Sequence, residues 1–213
     1  MAKRPPDDPN SAARYIPDRP TLPKARDASK DCQGCDLWKR GTQTVFGEGH
    51  RTARILFVGE QPGDQEDLSG RPFVGPAGRL LDRALEEAGI DRGDVYVTNV
   101  VKHFKWEPRG KRRIHQKPNA SEIAACRPWL DLELALVKPK LVVCLGATAA
   151  QALLGKSFKV SERRGEFVEG VMKPVVTATV HPSSILRSPD DETRRAEMRR
   201  FVADLKRVAD RLQ

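Results

Sequence analysis

A regular alternation of short apolar segments with helical ones constrains the fold of this chain more than any other feature. Four segments have the length and apolar content of buried strands, at residues 53–58, 94–99, 140–145 and 175–180. Helical periodicity recurs at residues 76–88, 121–136 and 147–154 and in a C-terminal helix that begins near Ser188. Because strands that alternate with helices form parallel sheets covered on both faces, we predict a three-layer α/β/α sandwich around a mostly parallel four-stranded sheet. Residues 158–169 are predicted to form an additional hairpin.

The chain divides into one predicted domain and an arm. Its 213 residues are enough for one packed domain with a sizeable core, which we place at residues 31–213. Residues 1–30 are rich in Pro and charged residues and show no periodicity, so a flexible N-terminal arm, or alternatively a loose wrap around the domain, is expected there. The sequence has neither the roughly 20 apolar residues of a membrane span nor the apolar core of a secretory signal. We therefore expect a cytoplasmic protein without a membrane partner, and take a monomer as its default state.

The charge of the chain is positive and unevenly distributed. The sequence has 38 Lys and Arg residues against 29 Asp and Glu residues, a net charge of +9. Between Lys102 and Lys117 seven residues are Lys or Arg and one, Glu107, is acidic, so this segment alone contributes +6. A solvated basic loop of this kind is typical of contacts with phosphates, and it favours a polyanionic partner.

Polar side chains follow three of the predicted strands at the point where each strand ends. The first strand runs into Gly59-Glu60-Gln61-Pro62-Gly63-Asp64, the second ends at Asn99, and the fourth runs into His181-Pro182-Ser183-Ser184. Taken singly, each of these is an ordinary turn or cap. Ligands of parallel sheets bind outside the carboxyl ends of the strands. Three such endings together therefore predict a binding site at one edge of the sheet.

Four cysteines, Cys32, Cys35, Cys126 and Cys144, are the second group that points to chemistry. In a reducing compartment they are metal ligands or buried thiols rather than disulfides. Cys32 and Cys35 form a C-x-x-C pair that can hold one metal centre, but a zinc ribbon usually supplies a second such pair. An iron–sulfur cluster tolerates irregular spacing, whereas Cys144, within an apolar strand, also fits a core position. The spacing alone leaves these alternatives open.

These motifs together resemble the iron–sulfur family 4 enzymes of the uracil-DNA glycosylase superfamily. The resemblance covers residues 30–212 and rests on the four cysteines, on the motifs at 59–63, 70–75 and 98–99, and on His181-Pro182-Ser183-Ser184-Ile185-Leu186-Arg187. It implies an enzyme that removes uracil from DNA, with single-stranded DNA as the expected substrate. It also implies that the four cysteines bind one [4Fe–4S] cluster of structural function.

The resemblance implies a role for each motif in uracil excision, a reaction in which the base must first leave the stack. Phe73 would offer a stacking face, and Asn99 would bind the O4 and N3 edge of uracil through its amide. His181 would donate a hydrogen bond to O2, where negative charge develops as the base departs. The expected substrate site is completed by Gln61, Gly63, Asp64, Ser183 and Leu186. Gln61 and Asp64 have the alternative role of positioning the basic loop or Glu60. Leu186 is expected as a wedge that fills the gap left by the base, with packing at the next helix as the alternative.

Two departures from the usual family 4 pattern distinguish this sequence. Gln61 stands where a small alanine is typical, and the basic segment contains Lys111-Arg112-Arg113-Ile114-His115. Both are similar to the UdgX-type branch, whose members bond covalently to uracil-containing DNA. The similarity implies that His115 attacks C1′ of the sugar, that Glu60 accepts the other ring N–H, and that the protein turns over once. The expected contacts with the DNA backbone are Lys111, Arg112, Arg113 and Arg187.

Two other functions are open at this point. The first is an ordinary uracil-DNA glycosylase with multiple turnovers, in which water traps the sugar. The second is a non-catalytic iron–sulfur protein that binds DNA or senses redox state, which gives no reason for Glu60, Asn99 and His181 to stand together at strand ends. His103 is a rival nucleophile within the basic segment, although no motif selects it.

Overall fold

The computed structural model describes residues 10–169 and 174–212. The strands are β1 (Glu48–Gly49), β2 (Ile55–Gly59), β3 (Val95–Asn99), β4 (Trp106–Arg109), β5 (Arg112–His115), β6 (Leu141–Leu145), β7 (Phe167–Val168) and β8 (Val175–Thr179). The α-helices are α1 (Leu22–Ser29), α2 (Asp64–Ser69), α3 (Pro76–Glu87), α4 (Ala120–Val137), α5 (Ala147–Leu154), α6 (Val160–Arg163), α7 (Pro182–Leu186) and α8 (Asp191–Asp210). Short 3-10 helices cover Ala12–Tyr15, Asp36–Lys39 and Arg92–Asp94.

Six of these strands form one sheet in the order β1-β3-β2-β6-β8-β7, and β4 pairs with β5 in a separate antiparallel hairpin. The four predicted strands are β2, β3, β6 and β8, and they pair in parallel as expected. The edge strands β1 and β7 are antiparallel and have two residues each. A strand of two residues is too short to show an alternation of apolar and polar side chains. The prediction of four strands therefore lacks the two edge strands, β1 and β7.

Hydrophobic cores lie on both faces of the sheet. Ile55 and Phe57 of β2 pack with α3, α7 and α8, whereas Leu56 and Val58 pack with α4 and α5. Side chains of a strand alternate between faces, so one apolar run supplies both cores, and every residue of β2, β3 and β6 is buried. The predicted three-layer α/β/α sandwich is confirmed.

The beginning of the described chain folds onto this sandwich. Ser11 and Thr21 cap the first two helices by accepting backbone N–H groups. Ala12, Leu22 and Ala25 are buried in the core that also contains α4. The prediction of a flexible arm is therefore wrong for residues 10–30, because a few small apolar residues are enough to dock this segment. Residues 1–9 of that prediction lie outside the described residues.

The hairpin predicted at residues 158–169 is also wrong. The segment forms α6 and then β7, which pairs with β8 instead of with a neighbouring strand of its own hairpin. Phe158 and Val160 are buried in the core, which explains the apolar pattern of this segment. In the two described ranges no helix is long and apolar enough to cross a membrane.

Candidate active site

A cleft of about 960 Å³ opens at the carboxyl ends of the parallel strands. It is lined by Glu60, Gln61, Gly63, Asp64, Gln65, Glu66, Phe73, Pro76, Ala77, Asn99, His115, Lys117, Leu145, Gly146, Ala147, Thr148, His181, Ser183, Leu186 and Arg187. Every residue predicted to take part in catalysis or substrate binding is a member of this set. The rule that ligands bind outside the carboxyl ends of parallel strands therefore locates the cleft correctly.

Asn99 and Phe73 form one wall of the cleft against Gly59. The Asn99 residue is buried, and its side-chain amide makes no hydrogen bond to the part of the chain that the structure describes. A Cβ at Gly59 would overlap this amide and lie 2.9 Å from Phe73 Cζ, so only glycine allows both side chains to come this close. Phe73 has a left-handed φ of 56°, which costs about 1–3 kcal/mol in a residue other than glycine. The turn is held by the Gly75 N–H, which donates to Glu66 Oε1 at 2.7 Å.

His181 has a defined tautomer. Its Nδ1 accepts the backbone N–H of Ser183 at 3.1 Å and lies 2.7 Å from the hydroxyl of the same residue. In the neutral ring the proton is therefore on Nε2. Burial, together with the nearby charges of Arg187 and His115, lowers the pKa of His181 to about 4. At neutral pH His181 is thus an uncharged hydrogen-bond donor in the cleft, beside the ring of Phe73.

His115 meets Glu60 in the same cleft. His115 Nε2 lies 3.3 Å from Glu60 Oε1, and half of the His115 side chain is exposed to solvent. Glu60 Oε2 accepts a hydrogen bond from the Thr148 hydroxyl at the start of α5. The carboxylate therefore lies between the imidazole and the Thr148 hydroxyl, close enough to balance positive charge on the ring. Sequence reasoning missed Thr148, although its position just after β6 is at the same sheet edge and was a usable signal.

Gln61 fastens both ends of the β4–β5 hairpin that carries His115. Its Nε2 donates to the carbonyls of Lys105 and Gln116, at 3.2 and 3.0 Å, and its Oε1 accepts the Lys105 N–H at 3.1 Å. Both amide protons are used in this way. Gln61 lines the cleft as predicted, and its amide serves the alternative role of positioning the loop. Alanine, typical at this position in family 4, makes none of these bonds.

Arg113 anchors the same hairpin to α2. Its Nε lies 2.6 Å from Asp64 Oδ1 and its Nη1 lies 2.6 Å from Asp67 Oδ2. The guanidinium also lies 5.5 Å from the ring centres of both Phe104 and Trp106, a distance at which cations are attracted to aromatic rings. Arg113 and Asp64 thus pair with each other, which gives Asp64 the alternative role of positioning the loop and engages the guanidinium that was predicted to contact the DNA backbone. Arg113 is engaged in this way because Asp64 and Asp67 both lie in the first turn of α2, opposite β5.

The rest of the basic segment is only partly available to a ligand. Lys102 is fully buried against Glu133, and Lys105 pairs with Glu122. The exposed Lys and Arg residues of the segment are Arg109, Lys111, Arg112 and Lys117. Lys111 and Arg112, at the tip of the hairpin, and Arg187, at the cleft, keep the exposure that the predicted DNA contacts require.

The rival nucleophile His103 is excluded by its position. It is 5 % exposed, and burial lowers its pKa to about 4. It packs against Gly41 and is not among the residues that line the cleft. Ser183 and Leu186, by contrast, are both placed at the cleft by α7, and the Leu186 side chain is exposed there.

The four cysteines belong to the core on the α4 side of the sheet. Cys32, Cys126 and Cys144 are buried in one hydrophobic cluster, Cys35 packs against it, and all four are free thiols. Cys32 Sγ accepts the indole N–H of Trp129 at 3.3 Å, and Cys126 Sγ accepts the backbone N–H of Lys102 at 3.2 Å. Hydrogen bonds to sulfur are typical of iron–sulfur sites.

Four cysteine thiols are the donor set of an iron–sulfur cluster and also of a structural zinc site. Burial raises the pKa of Cys126 and that of Cys144 to about 12, so their thiolates require a bound cation. Within the described residues no group of three His, Cys, Asp or Glu side chains could hold one metal ion. The residue types therefore fit a metal centre with four thiolates, and the positions of the side chains do not select between a cluster and zinc.

Comparison with known proteins agrees with this geometry. A family model described as the uracil DNA glycosylase superfamily matches residues 46–206. The type-4 uracil-DNA glycosylase of Thermotoga maritima is 42% identical over 78% of this chain and 83% of its own length. The type-4 uracil-DNA glycosylase of Pyrobaculum aerophilum is 38% identical, over 79% and 86%. The type-5 uracil-DNA glycosylase of Thermus thermophilus is 35% identical, over 57% and 58%.

The chain therefore belongs to the uracil DNA glycosylase superfamily. Within that superfamily, the type-4 proteins are relatives over most of their own length as well as most of this chain.

Proposed function

We propose that this protein excises uracil from DNA and then retains the sugar as a covalent adduct of His115. The observation that carries the proposal is the pairing of His115 with Glu60 in the same cleft as Asn99 and His181. His115 with Glu60 supplies a nucleophile, and Asn99 with His181 supplies groups that bind a base. Gln61 and Arg113 support it further, because their side chains hold the hairpin that brings His115 into the cleft.

Excision breaks the bond between C1′ of the sugar and N1 of uracil. Uracil leaves with the bonding electrons, so negative charge develops on O2, and the neutral His181 offers Nε2–H to it. The free amide of Asn99 pairs with the O4 and N3 edge, which cytosine does not match. Phe73 provides the face on which the extruded base stacks. A donor aimed at developing charge typically contributes about 10²–10³ in rate.

Capture forms a bond between C1′ and the ring nitrogen of His115 that does not face Glu60. The positive charge that this attack leaves on the imidazole is balanced by the Glu60 carboxylate, which is held in place by Thr148. The imidazole gives up its remaining proton through Glu60, and the departing uracil takes one up. The products are one protein–DNA adduct and one neutral uracil, so the protein acts once.

The proposal includes one [4Fe–4S] cluster on Cys32, Cys35, Cys126 and Cys144. When bound, it would join the C-x-x-C segment to α4 and β6 and so act as a structural support. Iron analysis and visible absorbance test this part, and stoichiometric zinc without iron would contradict it.

The adduct is tested by mixing purified protein with a single strand that contains uracil and running a denaturing gel. We expect a heat-stable band of reduced mobility with the wild type and none with His115→Ala. The His50→Ala variant is the matched control, because His50 is exposed and outside the cleft. Release of uracil over many turnovers without such a band would overturn the proposal.

A uracil-DNA glycosylase with multiple turnovers is the second candidate, and the type-4 relatives favour it. We expect His115→Ala to show this behaviour, since water can enter the space of the missing imidazole. The preference for single-stranded DNA, the monomeric state and the cytoplasmic location stay predictions from the sequence.

A further inference from the structure

A buried ion pair lies directly behind the wall of the cleft. Lys102 Nζ and Glu133 Oε2 are 2.5 Å apart, and both side chains are fully buried. Replacing a buried ion pair by apolar residues of similar size is often neutral or stabilising. Stability alone therefore gives little reason for this pair, and its contacts indicate a different role.

The ammonium group of Lys102 has three acceptors, one for each proton. It donates to Glu133 Oε2, to the Thr98 hydroxyl at 2.6 Å and to the main-chain carbonyl of Asn99 at 2.8 Å. Asn99 is the last residue of β3, and its free amide faces the cleft. Lys102 thus holds the main chain of Asn99, the residue whose side chain forms the cleft wall.

Glu133 in turn fixes the position of the Lys102 ammonium group. Its carboxylate accepts the Gly47 N–H at 2.9 Å, the Tyr96 hydroxyl at 3.1 Å and the Thr98 hydroxyl at 2.8 Å, besides the lysine. A buried network with every member satisfied fixes one arrangement of its groups. The carbonyl of Asn99 is therefore held at one position relative to the sheet and α4.

We propose that Lys102 is a positioning residue for base recognition, which acts by fixing the main chain of Asn99 so that the amide presents its donor and acceptor in register with uracil. This rests on the proposed function, because it takes Asn99 as the group that binds the uracil edge. Lys102 was counted with the basic loop in the sequence, but its burial separates it from any DNA contact.

The test uses the double variant Lys102→Met with Glu133→Gln. It removes both charges together, so no uncompensated charge is left in the core. Glutamine keeps an acceptor for Gly47 and the two hydroxyls. We expect the inhibition constant of free uracil to rise about tenfold, the loss of roughly one well-formed hydrogen bond. The excision rate should fall by a similar factor. Affinity for a single strand with an abasic-site analogue and the visible absorbance of the cluster should stay unchanged.

The matched control is Tyr96→Phe, which removes a hydroxyl from Glu133 and leaves the contact between Lys102 and Asn99 in place. It should keep the wild-type inhibition constant. A folded double variant with wild-type inhibition by uracil overturns the inference, and so does a parallel loss of affinity for the abasic strand. If the double variant does not fold, Lys102→Gln with Glu133→Gln is measured in the same way. A wild type that releases no uracil is a failure of the proposed function instead.

Discussion

The cleft joins two regions that are held in place in different ways. Asn99 and His181 stand at the ends of strands within the six-stranded sheet, where pairing with neighbouring strands fixes the backbone. His115 stands on the separate β4–β5 hairpin, which is fastened by the side chains of Gln61 and Arg113. The positions of Asn99 and His181 therefore depend on the sheet itself. The hairpin that carries His115 can lose its side-chain contacts while the sheet stays intact. Excision and capture should therefore be separable by mutation.

The largest effect is expected in the sheet region. The substitution Asn99→Ala removes the amide that binds the base, so uracil release and adduct formation should both fall about 100-fold or more. Both products fall together because capture requires prior excision. Uracil release and the gel band are measured on the same samples, with thermal unfolding as the control for folding. If Asn99→Ala lost the adduct but still released uracil at the normal rate, the assignment of Asn99 to excision would be contradicted.

The hairpin region should give an unequal response. Gln61→Ala removes three hydrogen bonds to the backbone of Lys105 and Gln116, so His115 is held less firmly. We expect the ratio of adduct to released uracil to fall about tenfold, with uracil release within about threefold of the wild type. Gln151→Ala is the control, since the Gln151 side chain makes one hydrogen bond among the described residues, to the carbonyl of Phe158. Equal losses of both products would show that the two regions are not separable.

Two neighbouring arginines, Arg112 and Arg113, test the role of the hairpin further, with a smaller expected change in the ratio of adduct to released uracil. Arg113 pairs with two carboxylates, and lysine does not reproduce that forked geometry. Arg113→Lys should therefore lower the adduct ratio by about threefold. Arg112→Lys keeps an exposed charge and should leave the ratio unchanged. Adduct yield at limiting time reports both variants, and a larger effect at Arg112 would contradict the assignment of Arg113 as the anchor.

A further effect, outside the two reactions, is expected on stability in acid. Burial lowers the pKa of His103 to about 4 from its ordinary value of 6.5. The stability contributed by the neutral ring is fully present above pH 6.5 and is lost progressively as the pH falls from 6.5 to about 4. Between pH 7.5 and pH 5 this amounts to roughly 2 kcal/mol of the free energy of unfolding. Urea unfolding should show a smaller loss in His103→Gln than in the wild type, and an identical loss would refute the assignment.

The same division explains what could be predicted from the sequence. Glu60, Asn99 and His181 were placed correctly because parallel strands bring their carboxyl ends to one edge. For Gln61 and Asp64 the sequence left open whether they bind substrate or position the loop, and it did not identify Arg113 as an anchor, since each pairs with a residue more than 40 positions away. No local period encodes such a contact. Residues 10–30 were missed for a related reason, because Ala12 and Ala25 are buried by neighbours that lie far along the chain.

The most direct measurement of the central claim is the identity of the residue that is bonded to DNA. The wild type is incubated with a short strand containing uracil, digested with protease and nuclease, and analysed by tandem mass spectrometry. We expect one modified residue, His115, that carries a deoxyribose remnant without uracil. A remnant on His103 or on a lysine, or unmodified protein after many turnovers of uracil release, would contradict the account.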